Sequence, residues 1–294
     1  MRSFSELYNS ALASNAVFSY RQDERIFRTR FKRMSLAGFF GLVVLSPLLL
    51  NEGHYFILNL VLTYLIAALG LNLLIGITGL LSLGQAAFVG VGAYTSALLV
   101  TNFGFPLALA IPCAGVTAAA AGVIVGVPSL RIKGFYLMVA TLAFQFVIDY
   151  LIVHWEGLTR GIRGIELSTP VVLGVSLASQ TRFFFFVFLV AALMIWGARN
   201  LLRSNIGRAF VAIRDNDVSA EIIGIPVFRY KLLSFAIASF YAGVAGAIFS
   251  AMQRAAMPQD YSLTHSIMFL AMVLIGGAGS VLGTIFGVIF VTLV

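Results

Sequence analysis

Charge is what this chain lacks most. Only 10% of its 294 residues are Asp, Glu, Lys or Arg, and between Leu36 and Leu130 a single one occurs, Glu52. A soluble domain carries about 25%. With 60% hydrophobic residues and a mean hydropathy of +1.00, the chain cannot offer water a polar exterior. The scarcity excludes a water-soluble enzyme and a disordered chain, and leaves a polytopic helical membrane protein. Cysteine is nearly absent too. Cys113 is the single one and lies in an apolar run, which excludes a disulfide framework and a cysteine-held metal cluster. No Gly-rich loop ending in Gly-Lys-Ser/Thr occurs, so the usual cradle for nucleotide phosphates is missing. Residues 1–35 have no short apolar core followed by a small-residue cleavage site, so they do not read as a signal peptide.

What is present is a series of apolar runs. A helix needs about 20 residues to cross the hydrocarbon layer, and runs of suitable character cover 36–50, 55–77, 80–100, 106–127, 134–153, 183–199, 231–253, 266–280 and 281–294. About nine spans are therefore expected. The last run reaches Val294 without a basic stop, so a further C-terminal span is expected beyond it. The net charge of +8 reads as a topology signal rather than a nucleic-acid surface, because Lys and Arg collect on cytoplasmic loops. With the N-terminus inside, the inner face receives seven basic residues from 1–35, then Arg131 and Lys133, then six from 199–231. That is fifteen of nineteen. Residues 1–35 become a basic cytoplasmic segment, and 36–294 a transmembrane domain with a cytoplasmic loop at 198–231. His54, His154 and His265 then fall at outer helix ends. Asp149 is the one carboxylate clearly within a span, too shallow to suggest proton coupling.

Glycine supplies the next signal. Leu74-Ile75-Gly76-Ile77-Thr78-Gly79 is matched two hundred residues later by Leu274-Ile275-Gly276-Gly277-Ala278-Gly279. Each closes one span at its inner end and opens the next, and both run in the same direction, which suggests an internal repeat. Transporters are often built from such repeats, with the substrate route between them and lined by interrupted helices. Polar atoms at membrane depth need a partner or a watery cavity. Thr78, Ser82, Gln85, Tyr94 and Thr95 are therefore candidates for lining a route. Gln85 stands out, and its amide could equally hydrogen-bond a neighbouring helix.

The inner loop 198–231 is long and charged. Asp215 to Asp217 supply an N-cap cluster, Val218, Ile222 and Ile223 follow at helical spacing, and Gly224 with Pro226 ends the helix. A helix that merely rested on lipid would carry basic residues on its polar face. This one carries Asp215, Asp217 and Glu221, which suits a protein partner better.

The Ala220-Glu221-x-x-Gly224-Ile225 end of that loop resembles the coupling helix of ATP-binding-cassette importer permeases. Leu71 to Gly76, Ser82-Leu83-Gly84-Gln85-Ala86-Ala87-Phe88 with Gly90, Gly92 and Tyr94, Leu130-Arg131-Ile132-Lys133-Gly134-Phe135-Tyr136, Ala140 to Phe144 and Gly276-Gly277-x-Gly279-Ser280 resemble the branched-chain amino acid permease family. The Leu130–Phe144 stretch is similar to its LivM-like branch rather than the LivH-like one. The resemblance implies an ABC importer permease fold and alternating access in a bacterial-type inner membrane. It also implies a second, LivH-like permease, two ATPase subunits that hold ATP and Mg, and a periplasmic binding protein. This chain would itself bind no cofactor and catalyse nothing. Branched-chain amino acids are the implied cargo, with urea or short amides and hydrophobic carboxylates as related possibilities and a secondary carrier as the rival class. Ile213, Arg214, Asp215, Asp217, Ala220, Glu221 and Gly224 would couple to the ATPase. One departure is Thr159-Arg160-Gly161-Ile162-Arg163-Gly164, where the family tends to have small or acidic residues. Arg160 and Arg163 would face the binding protein.

Overall fold

Long apolar runs become long helices because every backbone amide must be satisfied within its own segment when no water is at hand. The computed structural model describes residues 51–130, 134–168, 170–172 and 175–294. Expectations for 1–35, the 36–50 span, Arg131 and Lys133 lie outside those residues. Contacts divide the chain after Asn51, and the unit described is Glu52–Val294.

Six of its helices are long and apolar enough to cross a membrane. The first is α1 (Glu52–Asn72), which runs on through a π-helical turn, Leu73–Ile77. It is followed by α2 (Gln85–Phe103), α3 (Leu107–Ser129) and α4 (Phe135–His154). After an irregular segment come α5 (Gln180–Arg203) and two short helices, α6 (Asn205–Asp215) and α7 (Asp217–Ile222). Next is the long α8 (Val227–Gln253), followed by α9 (Leu263–Gly276) and α10 (Val281–Leu293). At about 1.5 Å per residue, the 14 residues of α9 and the 13 of α10 rise only about 20 Å, short of a ~30 Å hydrocarbon layer. The run expected as a span from residue 80 starts as helix only at Gln85, because Gly79, Ser82 and Gly84 break the segment before it.

Helices α1 and α8 form the core. Of their apolar stretches 78% and 72% are buried, against 22% for α4. Small residues make this possible. A side-chain carbon at Gly92 would overlap Gly243 of α8, and one at Gly246 would overlap the Val89 carbonyl oxygen of α2. Two backbones thus touch, and close van der Waals packing of this kind is what associates helices when lipid is as apolar as the side chains.

At the end where α1 begins, the described residues of 155–179 form short elements, and Ser179 donates to Glu52. Strand β1 (Ile165–Glu166) pairs antiparallel with β4 (Ala255–Ala256), while β2 (Val171–Val172) and β3 (Val175–Ser176) form a small hairpin. Arg160 and Arg163 sit exposed in this segment, Arg160 at a left-handed φ of 60°.

Because α2 and α8 have no room between them, Gly246→Ala is expected to cost about 1–3 kcal/mol. It should lower the midpoint of thermal unfolding of the purified protein. An unchanged midpoint would mean that the two backbones do not meet.

Candidate functional site

The two glycine motifs, two hundred residues apart, meet at the end of the bundle that carries α6 and α7. The π turn widens the helix there, with the Thr78 N–H and hydroxyl both reaching the Leu73 carbonyl at 3.2 and 3.1 Å. Such bulges recur at functional positions because they re-aim the backbone. Gly76 then lies flat against the second motif, where a side-chain carbon would overlap both the Gly279 nitrogen and the Asn72 Oδ1. The buried Asn72, last residue of α1, accepts the Gly279 N–H at 2.7 Å. Gly79 and Gly279 both turn at positive φ, 76° and 93°, a conformation open to glycine at little cost.

Arg214 closes this junction. From the last turn of α6 its guanidinium donates to the Gly76 carbonyl. A side-chain carbon on Gly279 would stand 3.0 Å from the Arg214 Nη1, and one on Gly79 would stand 3.2 Å from its Cγ. One side chain therefore touches both motifs. Sequence reasoning assigned Arg214 to ATPase coupling; in the structure the residue is exposed while its guanidinium reaches back to the Gly76 carbonyl. Asn72 was quoted only within the Leu71–Gly76 resemblance and given no role, although its place two residues before the first motif was a usable signal.

Helices α6 and α7 present this Arg by burying one side. In α6, Ala209, Phe210 and Ile213 are buried, and Phe210 meets Tyr230 of α8 edge-on with ring centres 6.3 Å apart. The capping cluster works through its middle member, since the Asn216 side chain accepts from the Val218 and Ser219 amides, each at 3.0 Å. The helix expected to start at this cluster is α7, with Asn216 as its N-cap, and α6 is a separate helix before it. Ala220 is buried, Gly224 turns at φ 89° as the expected stop, and an ion pair of 3.3 Å joins Asp217 to Lys231 of α8. Asp215 and Glu221 are exposed. Val218, Ile222 and Ile223 are 57%, 81% and 72% exposed, an apolar face that no other described residue covers. Between α7 and the first glycine motif lies a cavity of about 450 Å³, with Thr78, Gly79, Leu137, Arg214, Asp217 and Lys231 among its walls.

The other candidate route residues do not form one cluster but follow the chain through the membrane. The Ser82 hydroxyl accepts the Gly84 N–H at 3.3 Å. Gln85 gives its amide to the Ala67 carbonyl of α1 at 2.9 Å, the helix-bridging role. Thr95 donates to Val91 and accepts from Thr117 of α3 at 3.1 Å. Tyr94 is buried and meets the Tyr261 ring edge-on at 6.0 Å.

A residue that sequence reasoning missed ties these elements together. The N-terminus of α2 starts inside the bundle behind Gly84, which offers no side-chain cap. Gln145 of α4 accepts from the Ala87 amide at 2.7 Å, and Ser266 of α9 from the Ala86 amide at 2.8 Å. The Ser266 hydroxyl donates to the Gln145 Oε1 at 3.0 Å, and the Gln145 amide donates to the Tyr261 carbonyl and to Asp149 at 2.7 and 2.9 Å. Helix-start amides left unpaired inside a bundle would be costly, and here two other helices satisfy them. Asp149 is thereby bound to Gln145.

Comparison with known proteins gives this geometry a family. The profile described as branched-chain amino acid transport system / permease component matches residues 54–294. The chain belongs to that family. It is 33% identical over 273 residues to the high-affinity branched-chain amino acid transport system permease protein LivM of Salmonella typhimurium and to that of Escherichia coli. Each overlap covers 85% of this chain and 64% of the relative, so the chain spans just under two thirds of their length. It is 30% identical over 284 residues to the autoinducer 2 import system permease protein LsrC of Klebsiella pneumoniae, covering 90% of this chain and 79% of that one. No solved structure matches it significantly.

The Asn72–Gly279 bond tests the junction. Asn72→Ala leaves a buried N–H without its acceptor and is expected to cost about 1–3 kcal/mol, read as a lower thermal midpoint in detergent. A neutral result would show that water takes the place of the amide.

Proposed function

We propose that this chain is the LivM-like permease subunit of an ATP-binding-cassette importer that moves branched-chain or related hydrophobic amino acids into the cytoplasm by alternating access. The observation that carries the reading is the connection between two surfaces. A helix with an exposed apolar face, α7, follows α6 across the single residue Asn216, and α6 holds through Arg214 the backbone where two membrane helices turn. A partner that pushed on Val218, Ile222 and Ile223 would move the glycine junction directly. The polar rim of Asp215, Asp217 and Glu221 suits a protein groove rather than lipid.

The ATPase is a separate chain, present as two subunits with ATP and Mg bound to them. A second, LivH-like permease forms the other wall of the route, and a periplasmic binding protein delivers the cargo. The N-terminus is cytoplasmic in this reading, as fifteen of nineteen basic residues then lie inside. The α6–α7 end is the cytoplasmic one, and two repeated halves are supported by the paired glycine motifs, each at a helix–turn–helix. Thr78, Ser82, Gln85, Tyr94 and Thr95 follow the first of those halves and mark the path of the route. At the opposite end, Arg160 keeps a left-handed backbone that costs about 1–2 kcal/mol without glycine. That cost fits a docking role for Arg160 and Arg163 against acidic groups of the binding protein.

Reconstitution with both permeases, the ATPases and the binding protein tests the reading. Val218→Asp with Ile222→Asp should remove ATP-driven leucine uptake while insertion stays normal. Arg160→Glu with Arg163→Glu should weaken binding-protein docking about ten-fold, as loss of about 1.4 kcal/mol would. Uptake that continues without ATP, or that ignores both pairs of changes, would point to a secondary carrier.

A further inference from the structure

The segment between α8 and α9 brings a half-buried carboxylate into the bundle. Asp260 belongs to the 3-10 turn Pro258–Tyr261, which leads into α9. It lines a narrow pocket with Tyr64, His265, Phe249 and Phe269, closed at its base by Thr63 and Ala67 of α1. The depth follows from counting. Thr63 and Ala67 precede Ile77, the end of the helical path, by fourteen and ten residues. At about 1.5 Å per residue they stand roughly 15–20 Å from the glycine junction. That is the middle of a ~30 Å layer. Helix α9, too short to span, reaches the same level from the junction.

A carboxylate at such a depth calls for a partner. Among the described residues no hydrogen bond or ion pair reaches the Asp260 side chain. Its neighbours are His265, which shares the pocket and interacts with it electrostatically, and aromatic faces: Tyr64 stacks on Phe249 at 6.1 Å and meets Phe269 edge-on at 5.5 Å. Behind them Tyr261 lies 6.2 Å from Phe249 and 6.0 Å from Tyr94. The Tyr94 and Tyr261 hydroxyls are buried and make no hydrogen bond. Native proteins rarely leave buried hydroxyls unused. An acceptor carboxylate, aromatic faces and spare hydroxyls together suit an ammonium group carried on a compact apolar body.

We propose that Asp260, with Tyr64, Phe249 and Phe269, forms a mid-membrane subsite that holds the ammonium and side chain of a hydrophobic amino acid during its passage. The proposal rests on the importer reading above and names the place where this chain itself touches the cargo. The pocket now encloses about 10 Å³, room for one water, so its walls are closed. Cargo enters when the 255–262 segment and α9 move away from α1 and α8.

The test uses the whole importer in detergent without binding protein, with saturation-transfer NMR as the direct readout. Leucine and 3-methylbutylamine, which keeps the ammonium but not the carboxylate, should both show methyl signals. 4-Methylpentanoate, which lacks the ammonium, should not. Asp260→Asn should reduce the two positive signals at least five-fold and leucine uptake by about ten-fold, the effect of losing about 1.4 kcal/mol. ATP hydrolysis and gel-filtration behaviour report that the variant is folded. Equal signal from 4-methylpentanoate, or Asp260→Asn behaving as wild type while wild type takes up leucine, overturns the subsite alone. Wild-type importer that neither binds nor moves leucine overturns the functional reading and the subsite with it.

Discussion

The fold depends on one cationic side chain laid across two glycine turns. Arg214 donates to the carbonyl of Gly76 and lies against Gly79 and Gly279, so α1, α9 and the surface helix α6 are joined at a single point. The junction has no tolerance for volume, because Gly76 already touches the Gly279 amide and the Asn72 side chain. A backbone carbonyl freed by a helix break would be costly at a membrane boundary, and a guanidinium both satisfies it and fixes its direction. Packed junctions of this kind tend to have discrete arrangements rather than soft ones. In the proposed reading, a push on α7 is passed through α6 to this junction.

Above that point, polar groups hold broken helices in place. Starting α2 inside the bundle leaves its first amides unpaired, and Gln145 and Ser266 meet that demand from two other helices. The arrangement keeps α2, α4 and α9 in register while leaving the α8–α9 connection at mid-depth. Interrupted helices with their ends near the membrane middle are where transporters place their cargo. Asp260 stands at such an end, among aromatic faces.

Much of this was legible in the residues. Apolar runs at 55–77, 106–127, 134–153 and 231–253 correspond to helices within a few residues, because run length and the absence of charge are the dominant signal in lipid. The glycine motifs marked the turns, and Gly224 marked the end of α7. Three things were not legible. Gln85 could have faced a route or a neighbour, and only packing shows its amide on Ala67. The bond from Arg214 to the Gly76 carbonyl was not legible because the direction of a long side chain is set by what lies across from its helix, here a turn 138 residues away. His265 was read as lying at an outer helix end, and Asp260 was not singled out, because nothing local shows where α9 starts.

The most direct measurement is the number of leucine molecules delivered per ATP hydrolysed by the reconstituted importer, with Arg214 replaced by Met. Methionine keeps much of the length and removes the donors, a loss of about 1.5–3 kcal/mol for a charged hydrogen bond. ATP hydrolysis should continue with the subunits assembled, while leucine delivered per ATP falls about ten-fold or more, and Lys at the same position should restore part of it. An unchanged ratio in the Met variant would contradict the claim that Arg214 carries the motion of α6 and α7 into the membrane.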